Sequence, residues 1–187
     1  MFSVIFPGQG SQSVGMAKDI YDKYSVVKDI FSKADDVLGF RLSDIILNGP
    51  SSKINLTENT QPAIFVVSYS FFTVARDEFN VDLNKAKFFA GHSMGEFSAL
   101  ACAKSLDFGE TIRLLKQRGK SMQNAVPIGQ GGMIAVLGKD VGEIEKILQE
   151  NENFKHKCQI ANDNCPGQVV ISGEISAIKL LQESLKR

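Results

Sequence analysis

Apolar residues recur along this chain with two different periods, and the alternation between the periods marks out its elements. The opening run Phe2-Ser3-Val4-Ile5-Phe6 is short and mostly apolar, and it stops at Pro7-Gly8-Gln9-Gly10. That pattern predicts a β-strand ending in a turn whose bare backbone can come close to whatever lies above it. Three-and-four spacing then predicts two amphipathic helices, over roughly 13–24 and 26–38. Thr60-Gln61-Pro62 opens a further helix, with Thr60 as the expected cap and Pro62 in the first turn. Its stretch 63–75 is apolar on nearly every side. Ser68, Ser70 and Thr73 interrupt it and it is too short for a membrane span, so it reads as a buried helix and no membrane partner is expected.

The pattern then switches twice more. Residues 86–90 read as a short central strand and 95–103 as the helix leaving it. A helix beginning near Asp107 carries Ile112, Leu115, Gly119 and Met122 on one face. Strand, tight turn and helix in that order point to an α/β layer fold. Pro127 with Gly129, Gly131 and Gly132 shifts the composition and predicts a boundary, giving one domain over 1–126 and a second over 127–187. The second reads as strand 133–137, helix 141–150, strands 157–161 and 168–172, and helix 176–186. That β-α-β-β-α order is one strand short of the ferredoxin-like β-α-β-β-α-β unit.

Composition narrows the classes of function. The charges balance at 21 of each sign, so any charged partner must be met by a local patch and no nucleic acid is expected. Three cysteines without a C-x-x-C pair argue against a disulfide framework and for a reducing, cytoplasmic setting. His156, Cys158 and Cys165 have irregular spacing and lack a fourth ligand, so no metal site is expected. Gly8-x-Gly10 followed by Ser13 breaks the dinucleotide fingerprint, and Leu114 stands where a P-loop ending in Gly119-Lys120-Ser121 needs its first glycine.

One pattern carries chemistry. Gly91-His92-Ser93-Met94-Gly95 fits G-x-S-x-G, in which a serine sits on a sharp strand-to-helix turn with glycines two residues either side to accommodate the backbone. Such a turn exposes the serine hydroxyl and aims the N–H of the next residue, Met94, at the oxygen of a bound acyl carbonyl. The bare pattern arises by chance in roughly one chain in twenty of this length; its position between an apolar strand and a helix is what gives it weight.

Several further blocks occur in order: Phe6-Pro7-Gly8-Gln9-Gly10-Ser11-Gln12, Asn59-Thr60-Gln61-Pro62-Ala63, Gly91-His92-Ser93-Met94-Gly95-Glu96 and Lys116-Gln117-Arg118-Gly119. They are followed by Gly132-Met133-Ile134-Ala135-Val136-Leu137-Gly138 and by a run from Ala161-Asn162-Asp163-Asn164-Cys165-Pro166-Gly167 to Ser172-Gly173. In these blocks the chain resembles the malonyl-CoA:acyl-carrier-protein transacylases of fatty-acid synthesis, in their N-terminal part. The resemblance implies a hydrolase-like parallel-sheet core with a nucleophile elbow and an incomplete ferredoxin-like subdomain. It implies no bound cofactor, with a coenzyme A thioester as substrate and acyl-carrier protein as partner. Ser93 would accept malonyl from malonyl-CoA as an ester and pass it to the phosphopantetheine thiol. Gln9 and Met94 would supply oxyanion-hole N–H groups, Arg118 would grip the malonyl carboxylate, Gln61 would line the pocket and His92 would support the nucleophile. Without the resemblance, Arg118 reads as an arginine whose stem covers the edge of an apolar stripe, and Gln61 as a helix-start residue.

The resemblance also implies a general-base histidine after the small subdomain, and the only histidines are His92 and His156. The chain therefore reads as truncated before its base, with an inactive fragment that at most binds acyl-CoA or carrier protein as the alternative. A stand-alone serine esterase is disfavoured, because such enzymes place an acid and then a histidine after the serine.

Overall fold

In a computed structural model, the structure describes residues 2–127 and 129–185. Met1, Ile128, Lys186 and Arg187 lie outside the described residues, so the end of the helix expected over 176–186 does too. The fold is mixed α/β, and the chain divides into two compact units, Met1–Asn124 and Ala125–Arg187.

The first unit begins with β1 (Phe2–Phe6), which pairs in parallel with β2 (Ala86–Gly91) in a register that sets Phe6 beside Gly91. Both strands therefore end side by side, and the loop after β1 emerges next to the turn after β2. Among the described residues β2 pairs with β1 alone. Between the strands run α1 (Lys18–Lys23), α2 (Ser25–Leu38), α3 (Leu42–Asn48), α4 (Ser51–Ile54) and α5 (Thr57–Asp77). After them come α6 (Gly95–Cys102) and α7 (Phe108–Ala125).

Three expectations are corrected here. The helix expected from residue 13 starts only at Lys18, because Gly15 and Ala17 take left-handed backbone (φ 82° and 64°) that an α-helix cannot propagate. The short helices α3 and α4 were not read from the pattern at all. And α5 starts three residues before Thr60: Leu56 is its cap position, and Thr60 caps nothing. The Thr60 hydroxyl instead donates to the carbonyls of Ile54 (2.6 Å) and Leu56 (3.0 Å), and Pro62 lies inside the helix.

α5 is the spine of this unit. Its residues from Asn59 to Ser68 are buried, with Phe65 and Val66 packed among Phe31, Ile46, Ile112 and Leu115. The polar residues such a helix carries satisfy themselves: Ser70 and Thr73 donate to the carbonyls of Val66 and Tyr69, four residues back, each at 2.8 Å. Rings of Phe65 and Tyr69 meet Phe108 at 5.3 and 4.9 Å, fixing the start of α7. That start is capped by Asp107, whose Oδ1 accepts from the N–H of Gly109 at 2.7 Å and of Glu110 at 3.2 Å. These bonds hold the Asp107 carboxyl below its ordinary range.

The second unit contains β3 (Gly131–Leu137), α8 (Val141–Glu150), β4 (Cys158–Cys165), β5 (Gln168–Glu174) and α9 (Ile175–Leu185). Its sheet has the order β3-β5-β4, with β5 antiparallel to both neighbours. β4 is longer than the expected 157–161 because irregular steps after Ile160 and Asp163 let it stay paired as far as Cys165. α8 opens with a reciprocal capping box between Asp140 and Glu143. Val136, Ile144, Val169, Ile171, Ile178 and Leu181 close the core. Among the described residues, no helix is long and apolar enough to cross a membrane.

Candidate active site

The turn after β2 is built by two glycines that could be nothing else. A Cβ on Gly91 would lie 2.0 Å from the carbonyl carbon and oxygen of Gly95, and a Cβ on Gly95 would lie 2.6 Å from the carbonyl oxygen of Phe6. Backbone meets backbone at both positions, so no side chain can yield. Between them Ser93 has φ 53°, a left-handed conformation that costs a non-glycine residue about 1–2 kcal/mol. This backbone turns the chain from strand to helix in one step and leaves the Ser93 side chain exposed at the start of α6, the geometry the G-x-S-x-G pattern predicts.

The loop after β1 lies against this turn. The N–H of His92 donates to the carbonyl of Phe6 at 3.2 Å, and Nδ1 of the exposed His92 ring lies 2.8 Å from where a Gly8 Cβ would stand. Gln9, on that loop, sends its side-chain Nε2 to Thr57 Oγ1 at 3.4 Å, at the start of α5. Among the described residues, the N–H groups of Gln9 and Met94 donate to no backbone carbonyl. Met94 itself is fully buried.

α7 completes the site by crossing the first turn of α5 at very short range. A Cβ on Gly119 would stand 2.5 Å from the carbonyl oxygen of Thr57 and 2.6 Å from Cα of Glu58. Lys116, one turn earlier, fastens the crossing: its Nζ donates to Asn59 Oδ1 at 3.1 Å, pairs with Glu58 at 3.1 Å and lies 4.9 Å from the Phe40 ring centre. Arg118, between them, reaches across. Its Nη1 donates to Gln61 Oε1 at 2.7 Å and its Nη2 to Ser93 Oγ at 3.2 Å. Gln61 is wholly buried and turns its Nε2 to Met122 Sδ at 3.2 Å, which leaves its oxygen to face Arg118.

A family model described as an acyl transferase domain matches residues 3–187. The chain belongs to that family. The malonyl CoA-acyl carrier protein transacylase of Bacillus subtilis is 38% identical over 182 residues, covering 97% of this chain and 56% of that protein. Its counterpart in Haemophilus influenzae is 42% identical over 178 residues, covering 95% and 56%. The crystal structure of acyl-carrier-protein-S-malonyltransferase from Bartonella henselae superposes with a TM-score of 0.89 at 40% identity, over all of this chain and 59% of that one. A complex of a type II polyketide-synthase acyl-carrier protein with its malonyl-transacylase gives 0.89 at 39%, over 99% and 59%. The chain thus spans a little over half the length of these acyl transferase relatives.

Of the residues expected at the site, Ser93, Arg118 and Gln61 are joined by hydrogen bonds. Gln9, Met94 and His92 lie on the two adjoining turns. His156 is exposed on the turn before β4, in the second unit, with left-handed backbone. Among the described residues no group of three or more histidine, cysteine or acidic side chains could hold a metal ion. Cys102, on α6, is buried, and burial pushes its thiol up to about 12. Sequence reading missed Lys116, Met122, Gln12 and Asn55 as parts of the site's framework. The hydrogen bonds Gln12–Asn55, Lys116–Asn59 and Gln61–Met122 span 43 to 61 residues of sequence and leave no periodic trace.

Proposed function

We propose that the protein moves a malonyl group from malonyl-CoA to the phosphopantetheine thiol of acyl-carrier protein by way of a malonyl-Ser93 ester. The observation that carries this is the bridge by which one guanidinium donates both to Gln61 and to the Ser93 hydroxyl. A cation with several in-plane donors beside a nucleophile suits an acyl group that ends in a free carboxylate, and a buried carboxylate needs such a partner. In the first step Ser93 Oγ attacks the thioester carbon, its proton leaves to a general base, and coenzyme A departs as a thiol. In the second step the carrier's thiol attacks the ester carbon and Ser93 regains its proton. The N–H groups of Gln9 and Met94 hold the oxyanion in both steps, the second with the α6 N-terminus behind it. Arg118 holds the carboxylate, Gln61 braces Arg118, and His92 supports the turn.

The resemblance implies a histidine as the general base, and neither His92 nor His156 is given that role here. In the same reading 1–126 is a hydrolase-like core domain and 127–187 a ferredoxin-like subdomain, for which the β3-β5-β4 order is the expected arrangement. No bound cofactor is required, and the setting is cytoplasmic. The test is mass spectrometry of the longest form of the protein its gene encodes after brief exposure to malonyl-CoA. One malonyl group on Ser93, absent in Ser93→Ala, is expected; an ester on another serine would end the assignment.

A further inference from the structure

The loop that carries Gln9 is rich in glycine, and Gly10 has φ 110°, so nothing intrinsic to its backbone keeps it still. Its hydrogen bonds show what does. The Ser11 hydroxyl donates to the Gly8 carbonyl at 2.9 Å, which ties the loop only to itself. Gln12 does more. Its Oε1 accepts from the N–H of Gly10 at 2.8 Å, and its Nε2 donates to Asn55 Oδ1 at 2.9 Å. The two bonds fix which end of the carboxamide faces which partner, since an amide oxygen can only accept and its NH₂ only donate. Asn55 is a firm anchor, because it ends α4 with its own N–H donating to the Ser51 carbonyl at 3.1 Å. A second tether reaching out from the loop, Gln9 Nε2 to Thr57, is longer at 3.4 Å and holds the side chain, not the peptide plane.

We propose that Gln12 is a positioning residue for the oxyanion hole: its carboxamide clamps the Gln9–Gly10 peptide to Asn55, and so anchors the turn in which Ser11 holds the carbonyl of the Gly8–Gln9 peptide that carries the Gln9 N–H. The inference rests on the reading of Gln9 as an oxyanion donor and adds the residue that aims it. Gln12 is half-exposed and Asn55 exposed, so water can replace the bonds and the fold loses little when they go. What water cannot replace is the fixed direction. An oxyanion-hole donor contributes about 10²–10³ in rate when aimed and proportionately less when it swings.

The experiment uses the longest form of the protein its gene encodes, loaded with malonyl from malonyl-CoA, and reads the ester carbonyl stretch by infrared difference together with single-turnover acylation. In Gln12→Ala the carbonyl band is expected to move to higher wavenumber and broaden, and acylation to slow about tenfold, with the melting temperature nearly unchanged. Asn55→Ala, which leaves the local Gly10 bond but frees its far end, should give a smaller shift the same way. Gln12→Glu should recover most of the parent's band and rate, because the Asn55 amide can turn over and donate to the carboxylate. A parent-like band and rate in Gln12→Ala would overturn the role of Gln12 while leaving Ser93 in place. Failure of the parent itself to form an ester at Ser93 would overturn the site reading and this inference together.

Discussion

The two units handle sequence blocks of similar distinctiveness in opposite ways. In the first, the blocks around Gly8, Gln61, Ser93 and Arg118 converge on one hydroxyl, and the backbone is distorted to let them do so. In the second, the long run from Ala161 to Gly173 forms two neighbouring strands. The residues of β4 beyond Ile160 are exposed, and there Asn164 donates to Gln168 Oε1 on the facing strand at 3.1 Å. A recognisable motif can therefore encode either a reactive centre or merely a sheet. The distinguishing sign is convergence from distant parts of the chain, together with backbone held where a side chain cannot fit.

Five predictions test that contrast. The largest effect is expected at the elbow. Gly91→Ala puts a methyl 2.0 Å from backbone atoms of Gly95, and denaturant unfolding should show a loss of more than about 4 kcal/mol, or no folded first unit. A loss under about 1 kcal/mol would mean that the turn opens readily and is not a fixed scaffold for Ser93. Next, Arg118→Ala should reduce malonyl transfer by about 2–5 kcal/mol, the range for breaking a desolvated charge pair, while acetyl transfer suffers less. Equal losses for both acyl groups would make Arg118 structural.

The cysteines give a contrast between the units at the third level. Iodoacetamide at mildly alkaline pH should modify exposed Cys165 readily and leave Cys102 untouched until the protein unfolds, as peptide mapping would reveal. Because burial favours the neutral Cys102 thiol, its contribution to stability is complete below its ordinary value of 9.0 and is lost as pH rises toward about 12. Early labelling of Cys102 would show that α6 opens in the native state. The smallest effects are local. Asp140→Ala removes a capping box in the second unit and should cost about 1 kcal/mol with no change in Ser93 labelling. Ser98→Ala on α6 should be neutral or gain up to about 1 kcal/mol, since Ser98 Oγ is buried without a hydrogen-bond partner among the described residues.

Legibility in the sequence followed the same division. The elbow could be read because glycines two residues either side of a serine are a local requirement of the turn. α8 could be read to the residue because its apolar period and its Asp140 cap agree. The start of α1 could not, since nothing in the residue type of Ala17 announces a φ of 64°. α3 and α4 were missed because helices of seven and four residues are too short to show a period. At the site, Ser93, Arg118 and Gln61 were nameable from their blocks. That Gln61 is oriented by Met122 and the first loop by Asn55 was not, because an amide–thioether or amide–amide contact between distant elements has no signature within either.

Gly119 acts as a gauge block between two helices. With no side chain there, the axis of α7 comes as near to the first turn of α5 as backbone atoms allow, and the span left for Arg118 is fixed by that nearest approach. A single methyl at this position would be a shim: relieving a 2.5 Å contact to ordinary van der Waals distance needs about 1 Å of separation. A guanidinium that now touches both Gln61 and Ser93 would then reach only one of them. The span that Arg118 bridges is in that sense machined into a residue with no side chain of its own.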